Sequence, residues 1–238
     1  MIRSFIFLIW TYGMMAIVGI CGIPFAIWSR DGAYAVMRTY VHITFWGMRH
    51  IVGLSFEVRG EPPTGEVLIT AKHQSFFDVM AIFISVKRAK FIMKRSLVWA
   101  PFLGFYALRI GVSPVTRGKG KTSVNEMMAG VSKERADTSQ LIIYPQGTRV
   151  PPGEDRPYKR GAHAIYSNYP TPCVPVAVNT GIFWPRVGVR RKPGVAVIEF
   201  LPPIEPGLDA ATFMDRMKNA IEPASDALAE EAYQEYGR

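Results

Sequence analysis

Residues 67–78 read Val-Leu-Ile-Thr-Ala-Lys-His-Gln-Ser-Phe-Phe-Asp, and the passage from an apolar run into a helix start decides the fold. Val67–Ala71 is a continuous rather than alternating run, the pattern of a strand covered on both faces. Ser75 and Asp78 have the Ser-x-x-Asp spacing of a capping box, so a helix begins just after His73. Outward from this stretch the same order repeats. Candidate strands are Val67–Ala71, Lys90–Met93, Gly111–Val115, Leu141–Tyr144, Val174–Val178 and Val195–Phe200; helices are expected at Phe76–Val86, Leu97–Leu108, Thr122–Arg135 and Tyr158–Ser167. The alternation predicts an α/β fold, a mostly parallel or mixed sheet covered by helices, with the site at the carboxyl ends of the strands. A last helix, about Asp209 to Tyr233, carries most of the late acidic charge and is expected to close the sheet from outside.

The N-terminal side has another solvent in view. Ser4 to Ser29 are 26 consecutive uncharged, mostly apolar residues between Arg3 and Arg30. As one helix they would reach about 39 Å, more than a hydrocarbon core of about 30 Å. Gly13, Gly19, Gly22 and Pro24 weaken a single straight span, and cations at both ends leave the orientation open. In Ala33–Phe56, read as a second helix, Arg38, His42 and Arg49 fall within about 40° of one another on a helical wheel, a basic stripe suited to the headgroup level. Three readings fit: a monotopic two-helix anchor dipping into one leaflet, a true span, and a hydrophobic core element. Residues 1–58 are therefore expected to form a membrane-associated helical hairpin, and 59–238 the α/β domain.

Composition narrows the function classes. The chain has 238 residues with 49% apolar and 12% aromatic residues, which excludes disorder. Its two cysteines, Cys21 and Cys173, lack any paired Cys/His spacing, which argues against a structural metal site and favours a reducing compartment. A net charge of +9 calls for an anionic partner. That charge is focused: residues 72–121 hold ten Lys/Arg and the single acid Asp78. A soluble nucleic-acid binder is disfavoured, because no recognition-helix or RNA-binding motif is present and the long apolar run would have no use in one. An anionic membrane surface and phosphorylated substrates remain as partners, and composition does not choose between them.

Four stretches carry chemistry. His73 and Asp78 lie five apart, about 140° on a regular helix, so they meet only if His73 precedes the helix and Asp78 sits in its first turn. An imidazole oriented by a carboxylate is a competent general base for a hydroxyl. The spacing alone fits a helix cap beside a strand-end histidine equally well. Tyr144-Pro145-Gln146-Gly147-Thr148-Arg149 forces a turn after a buried strand, either a cradle for phosphate or carboxylate or an ordinary turn with a solvated Arg. Gly111 to Arg117, followed by Gly118-Lys119-Gly120-Lys121, is a flexible basic loop without P-loop spacing. Val174 to Gly181 is a buried strand running into a turn, read as structural or pocket-lining.

In order, these blocks resemble the glycerolipid acyltransferases. The family's His-x4-Asp pattern appears as His73 and Asp78, its Gly-x-x-Phe-Ile-Asp/Glu-Arg block as Gly111 to Arg117, its Phe-Pro-Glu-Gly-Thr-Arg block as Tyr144 to Arg149, and its Val-Pro-Val-Ala block as Val174 to Ala177. Gln146 stands where the pattern has Glu, and Pro114-Val115-Thr116 replaces Phe-Ile-Asp/Glu, a loss of two negative charges near the expected anion site.

The resemblance implies transfer of a fatty acyl group from a thioester to the 2-hydroxyl of a lysophosphatidate; acylation of another lysolipid, such as a lyso-ornithine lipid, is the alternative. It implies His73 as base, Asp78 as its orienting acid, Lys94 as donor to the oxyanion, and Arg117, Gly147, Thr148 and Arg149 for the acceptor phosphate. Gln146 would line the acceptor pocket, and Lys119 and Lys121 would meet the donor, acyl-CoA or acyl-carrier protein. No metal or cofactor is implied. The expected location is the cytoplasmic face of the inner membrane.

Overall fold

The computed structural model describes residues 1–116, 125–126, 129, 139–168 and 170–237. The chain opens with three helices, α1 (Ile2–Cys21), α2 (Ile23–Trp28) and α3 (Arg30–Gly47), and a π-helical turn at Met48–Val52. Strands β1 (Leu54–Arg59) and β2 (Val67–Ala71), helix α4 (Phe76–Ser85), strand β3 (Ala89–Lys94), a 3-10 turn (Arg95–Trp99), helix α5 (Leu103–Arg109) and strand β4 (Ser113–Val115) follow. Next come β5 (Gln140–Ile143), α6 (Gly161–Tyr166), β6 (Cys173–Val178), α7 (Thr180–Phe183), β7 (Gly194–Phe200) and α8 (Ala210–Tyr236). These elements fall into two compact units, Met1–Ser55 with Lys90–Arg135 and Val189–Pro193, and Phe56–Ala89 with Ala136–Gly188 and Gly194–Arg238.

The first unit is helical around the parallel pair β3 and β4. Helix α1 is the one described helix long and apolar enough to cross a membrane. It packs on α3 through Trp10, whose indole donates to the Ile43 carbonyl at 3.1 Å. Gly47 permits this approach, since a Cβ there would lie 2.2 Å from Trp10 Nε1. Ser29 caps α3 by accepting from Gly32 N at 2.9 Å. Arg109 donates to the Ala26 carbonyl at 2.8 Å, a cation closing the last turn of α2. Much of the apolar surface stays outside: Ile2, Phe5, Ile9 and Tyr12 on α1 are exposed, Trp28 is 90% exposed and Trp99 is 86% exposed.

The second unit holds strands in the order β1-β7-β6-β2-β5. β2 is parallel to both β5 and β6, while β7 runs antiparallel to β6, so the sheet is mixed. The continuous apolar runs read from the sequence are buried on both faces: every residue of β2, β5 and β6 is covered. Each fully buried Leu or Ile here, such as Leu68, Ile69 and Ile142, contributes roughly 1.5–3 kcal/mol. Helix α8 starts on the Asp209 cap and lays Phe213, Met217, Ile221, Leu228 and Ala232 inward. Leu228 packs with Ala177 of β6 and Val197 of β7.

The mixed α/β sheet agrees with expectation, and three local expectations do not. The helix expected over Ala33–Phe56 stops at Gly47; after the π turn Gly53 adopts φ 74°, and Leu54–Arg59 becomes a strand. Its sequence alternates Leu54, Phe56 and Val58 with Ser55, Glu57 and Arg59, the period of a strand rather than a helix. The single helix expected over Leu97–Leu108 is broken by Pro101 and by Phe102 at φ 59° into the 3-10 turn and α5. The helix expected at Tyr158–Ser167 is confined to Gly161–Tyr166. Most of the helix expected at Thr122–Arg135 lies outside the described residues.

Candidate active site

The parallel strands β6, β2 and β5 lie side by side, and the polar blocks leave from their carboxyl ends. His73 follows β2, Tyr144 follows β5 and Thr180 follows β6. Two bonds tie these exits together. Val150 N donates to the His73 carbonyl at 2.7 Å, joining the turn after β5 to the motif after β2. Gly181 N donates to the Gln74 side chain at 2.9 Å, joining the exit of β6 to the same motif. Gly147, at φ 70°, closes the turn by donating to the Tyr144 carbonyl at 2.8 Å.

His73 and Asp78 meet as the capping geometry requires. Ser75 caps α4, accepting from Phe77 N at 3.1 Å, and Asp78 in the first turn accepts from Ser75 N at 2.7 Å and Gln74 N at 2.8 Å. Its other oxygen lies 2.9 Å from His73 Nδ1. Thr180 donates to Asp78 Oδ2 at 3.3 Å. Asp78 is fully buried and the His73 side chain 13% exposed. With Nδ1 engaged, Nε2 is the ring nitrogen available to a substrate proton.

Tyr144 stacks on the imidazole, ring centroids 4.0 Å apart and planes 22° apart. Burial, and then the Asp78 carboxylate, hold its phenol well above the ordinary range, so it stays protonated.

Beneath the turn lies a second buried cluster. Lys72, 3% exposed, places its ammonium 2.6 and 2.8 Å from the two oxygens of Glu222 on α8. Tyr158 donates to the same carboxylate at 2.6 Å, and Gln146 Nε2 approaches it at 3.4 Å. Burial and then the bond to Glu222 raise the Tyr158 phenol above its usual range, keeping it a donor.

Carboxylates from other parts of the chain lie beside two of the replaced positions. Glu222 brings a carboxylate to Gln146, and Glu126 brings one to Thr116, accepting from Thr116 N at 2.7 Å and pairing with Arg95 at 3.1 Å. The Thr116 bond holds the Glu126 carboxyl below its usual range.

Of the other expected site residues, Gly147, Thr148 and Arg149 are half-buried in the turn after β5. The Arg149 carbonyl accepts from Arg186 at 3.1 Å. Lys94 ends β3 in the first unit with its side chain exposed. Arg117, Lys119 and Lys121 lie outside the described residues. Sequence reasoning missed Thr180, Tyr158 and Glu222. Thr180 carried a signal, a hydroxyl immediately after a buried parallel strand, whereas nothing in spacing links Glu222 to a motif 76 positions earlier.

Residues 55–179 match the model of the acyltransferase family. The chain belongs to the acyltransferase family. Among curated relatives of this acyltransferase-family chain, the 1-acyl-sn-glycerol-3-phosphate acyltransferase of Pseudomonas aeruginosa is 26% identical over 169 residues, covering 70% of this chain and 66% of the relative. The 1-acyl-sn-glycerol-3-phosphate acyltransferase of Saccharomyces cerevisiae is 28% identical over 174 residues, 70% of this chain and 56% of the relative. The matches thus span less than two thirds of those relatives' lengths. The crystal structure of the 1-acyl-sn-glycerophosphate (LPA) acyltransferase from Thermotoga maritima shares the fold, with a TM-score of 0.76 at 17% identity over 95% of this chain and 97% of that one.

Proposed function

We propose that the chain transfers a fatty acyl group from an acyl thioester to the sn-2 hydroxyl of 1-acyl-sn-glycerol-3-phosphate, forming phosphatidate for phospholipid synthesis. The observation that carries this reading is the 2.9 Å contact between His73 Nδ1 and Asp78, at the carboxyl end of a parallel strand in an acyltransferase-family chain. The names of the relatives supply the acceptor class.

In this mechanism the substrate is the nucleophile. The acceptor oxygen attacks the thioester carbonyl while His73 Nε2 takes its proton; Asp78 fixes the tautomer and balances the imidazolium. The carbonyl oxygen becomes an oxyanion, for which Lys94 is the proposed donor. Collapse breaks the carbon–sulfur bond, and the leaving thiolate takes the proton back from His73. Arg149, with Gly147, Thr148 and Arg117, is proposed to hold the acceptor phosphate, beside Gln146 in the acceptor pocket. Lys119 and Lys121 are proposed for the phosphopantetheine or acidic carrier of the donor, acyl-CoA or acyl-carrier protein. No further cofactor enters the scheme.

Residues 1–58 are proposed as the membrane-associated element, with α1 and its exposed Ile2, Phe5 and Ile9 in the lipid and 59–238 on the cytoplasmic side of the inner membrane. Trp28 and Trp99, almost fully exposed, suit the interface between headgroups and acyl chains.

The test is thiol release from an acyl thioester, with and without lysophosphatidate, in detergent or liposomes. Release is expected only with the acceptor, and His73→Ala is expected to slow it by about 10²–10⁴-fold while the chain still melts cooperatively as a folded protein. Full activity of that variant would remove the base assignment.

A further inference from the structure

A cavity of about 470 Å³ opens in the first unit beside the start of α1. Its walls combine two chemistries. Met1, Ile2, Val52 and Pro193 give it apolar surface, while Arg3, Arg190, Arg191 and Lys192 supply four cations, and no carboxylate lines it among the described residues. The two distant segments are pinned together by Ser4, whose hydroxyl accepts from Arg191 N at 3.0 Å. Burial lowers the Arg191 guanidinium to about 10, and its Nη1 donates to the Arg190 carbonyl at 3.2 Å.

Size and polarity select the ligand class. The volume lies within the roughly 300–1,000 Å³ of small-molecule sites. Four cations around an apolar wall match a phosphate joined to a hydrocarbon, since an inorganic anion would leave the apolar wall unused. From the cavity α1 continues as an exposed apolar stripe through Phe5, Ile9 and Tyr12, so acyl chains leaving the site would lie along it. Helix α1 also starts here without a side-chain cap or an acid in its first turn, leaving N–H groups that favour negative charge.

We propose that this cavity is a discrete binding site for the phosphate headgroup of an anionic membrane lipid, held by Arg3, Arg190, Arg191 and Lys192. The site is built from residues of the first unit alone and does not depend on the acyl-transfer reading.

Native mass spectrometry of the full chain in nonionic detergent, offered a mixture of phosphatidylglycerol and phosphatidylcholine, tests it. One phosphatidylglycerol per chain should be retained in preference to phosphatidylcholine. Arg191→Gln should weaken retention roughly five- to tenfold, and Arg190→Gln with Lys192→Gln by more, from the loss of about one charge contact each. Both variants keep the backbone bond to Ser4. Arg149→Gln, which alters the proposed acceptor site, should retain the lipid as the unaltered chain does. Retention unchanged in both basic variants, or lost in Arg149→Gln alone, would assign the lipid elsewhere and overturn the proposal. Equal retention of phosphatidylcholine would overturn it too. Inorganic phosphate added at matched concentration should fail to displace the lipid; ready displacement would make this a free-anion site and sink the lipid assignment.

Discussion

The Asp78 carboxylate is fully buried, yet its two oxygens accept from two backbone amides and Thr180 and meet His73. A charge without water is tolerable only when its lone pairs are occupied in this way. The same bonds that hold the helix start hold the imidazole, so structure and chemistry are separable only by careful substitution. Asp78→Asn keeps the shape but favours the wrong tautomer, and turnover is expected to fall about 10⁴-fold as in related triads; rapid-quench assays of acyl transfer check it. Thr180→Val removes one donor and is expected to cost about 1 kcal/mol in urea unfolding. Tyr144→Phe should leave turnover within about tenfold, because the 4.0 Å stack on His73 survives, whereas Tyr144→Leu should lower it further by removing an aromatic contact of about 0.5–1.5 kcal/mol. Equal activity of the Phe and Leu variants would show that the ring has no part in orienting His73.

Helix α8 reaches the buried cluster beside the site through Glu222. Glu222 holds Lys72 just before His73, Tyr158 ahead of α6, and the Gln146 side chain of the turn after β5. Glu222→Leu strands a buried ammonium and is expected to destabilise the chain by about 3–5 kcal/mol; adding Lys72→Met should restore most of the loss. Guanidinium unfolding of the single and double variants reads this directly, and no recovery in the double would mean that packing rather than the ion pair holds the helix there. At the other end of α8, Asp209 accepts from Ala211 N at 2.9 Å and from the Thr212 hydroxyl at 2.6 Å. Bonds from Thr212 depress its folded-state pKa. Its contribution is therefore complete above the ordinary carboxylate value of about 3.9 and fades as pH falls through the depressed value. The melting-temperature gap between the unaltered chain and Asp209→Ala should be open at neutral pH and narrow in strong acid.

Across the molecule the two cysteines report opposite surroundings. Cys21 is exposed near the end of α1, while Cys173 is buried in β6, its thiol pushed up to about 12 by burial. A maleimide is expected to label Cys21 in detergent and to reach Cys173 only on unfolding; peptide mapping distinguishes the two. The sequence by itself determined the parallel strands, because continuous apolar runs such as Val67–Ala71 and Val174–Val178 must be covered on both faces wherever they sit. It also permitted the meeting of His73 with Asp78, because the capping box from Ser75 to Asp78 is local, but the spacing fitted a plain helix cap equally well and the contact itself is seen only in the folded chain. Strand β1 was legible in alternation but hidden behind an apolar helix, and only the left-handed turn at Gly53 separates them. Tertiary structure alone decided the rest. The carboxylate beside Gln146, the donor at Thr180 and the four cations around the α1 cavity come from segments distant in the chain. Charge and hydrogen bonding act through space, and spacing along a sequence records only those partners that a single turn or helix brings together.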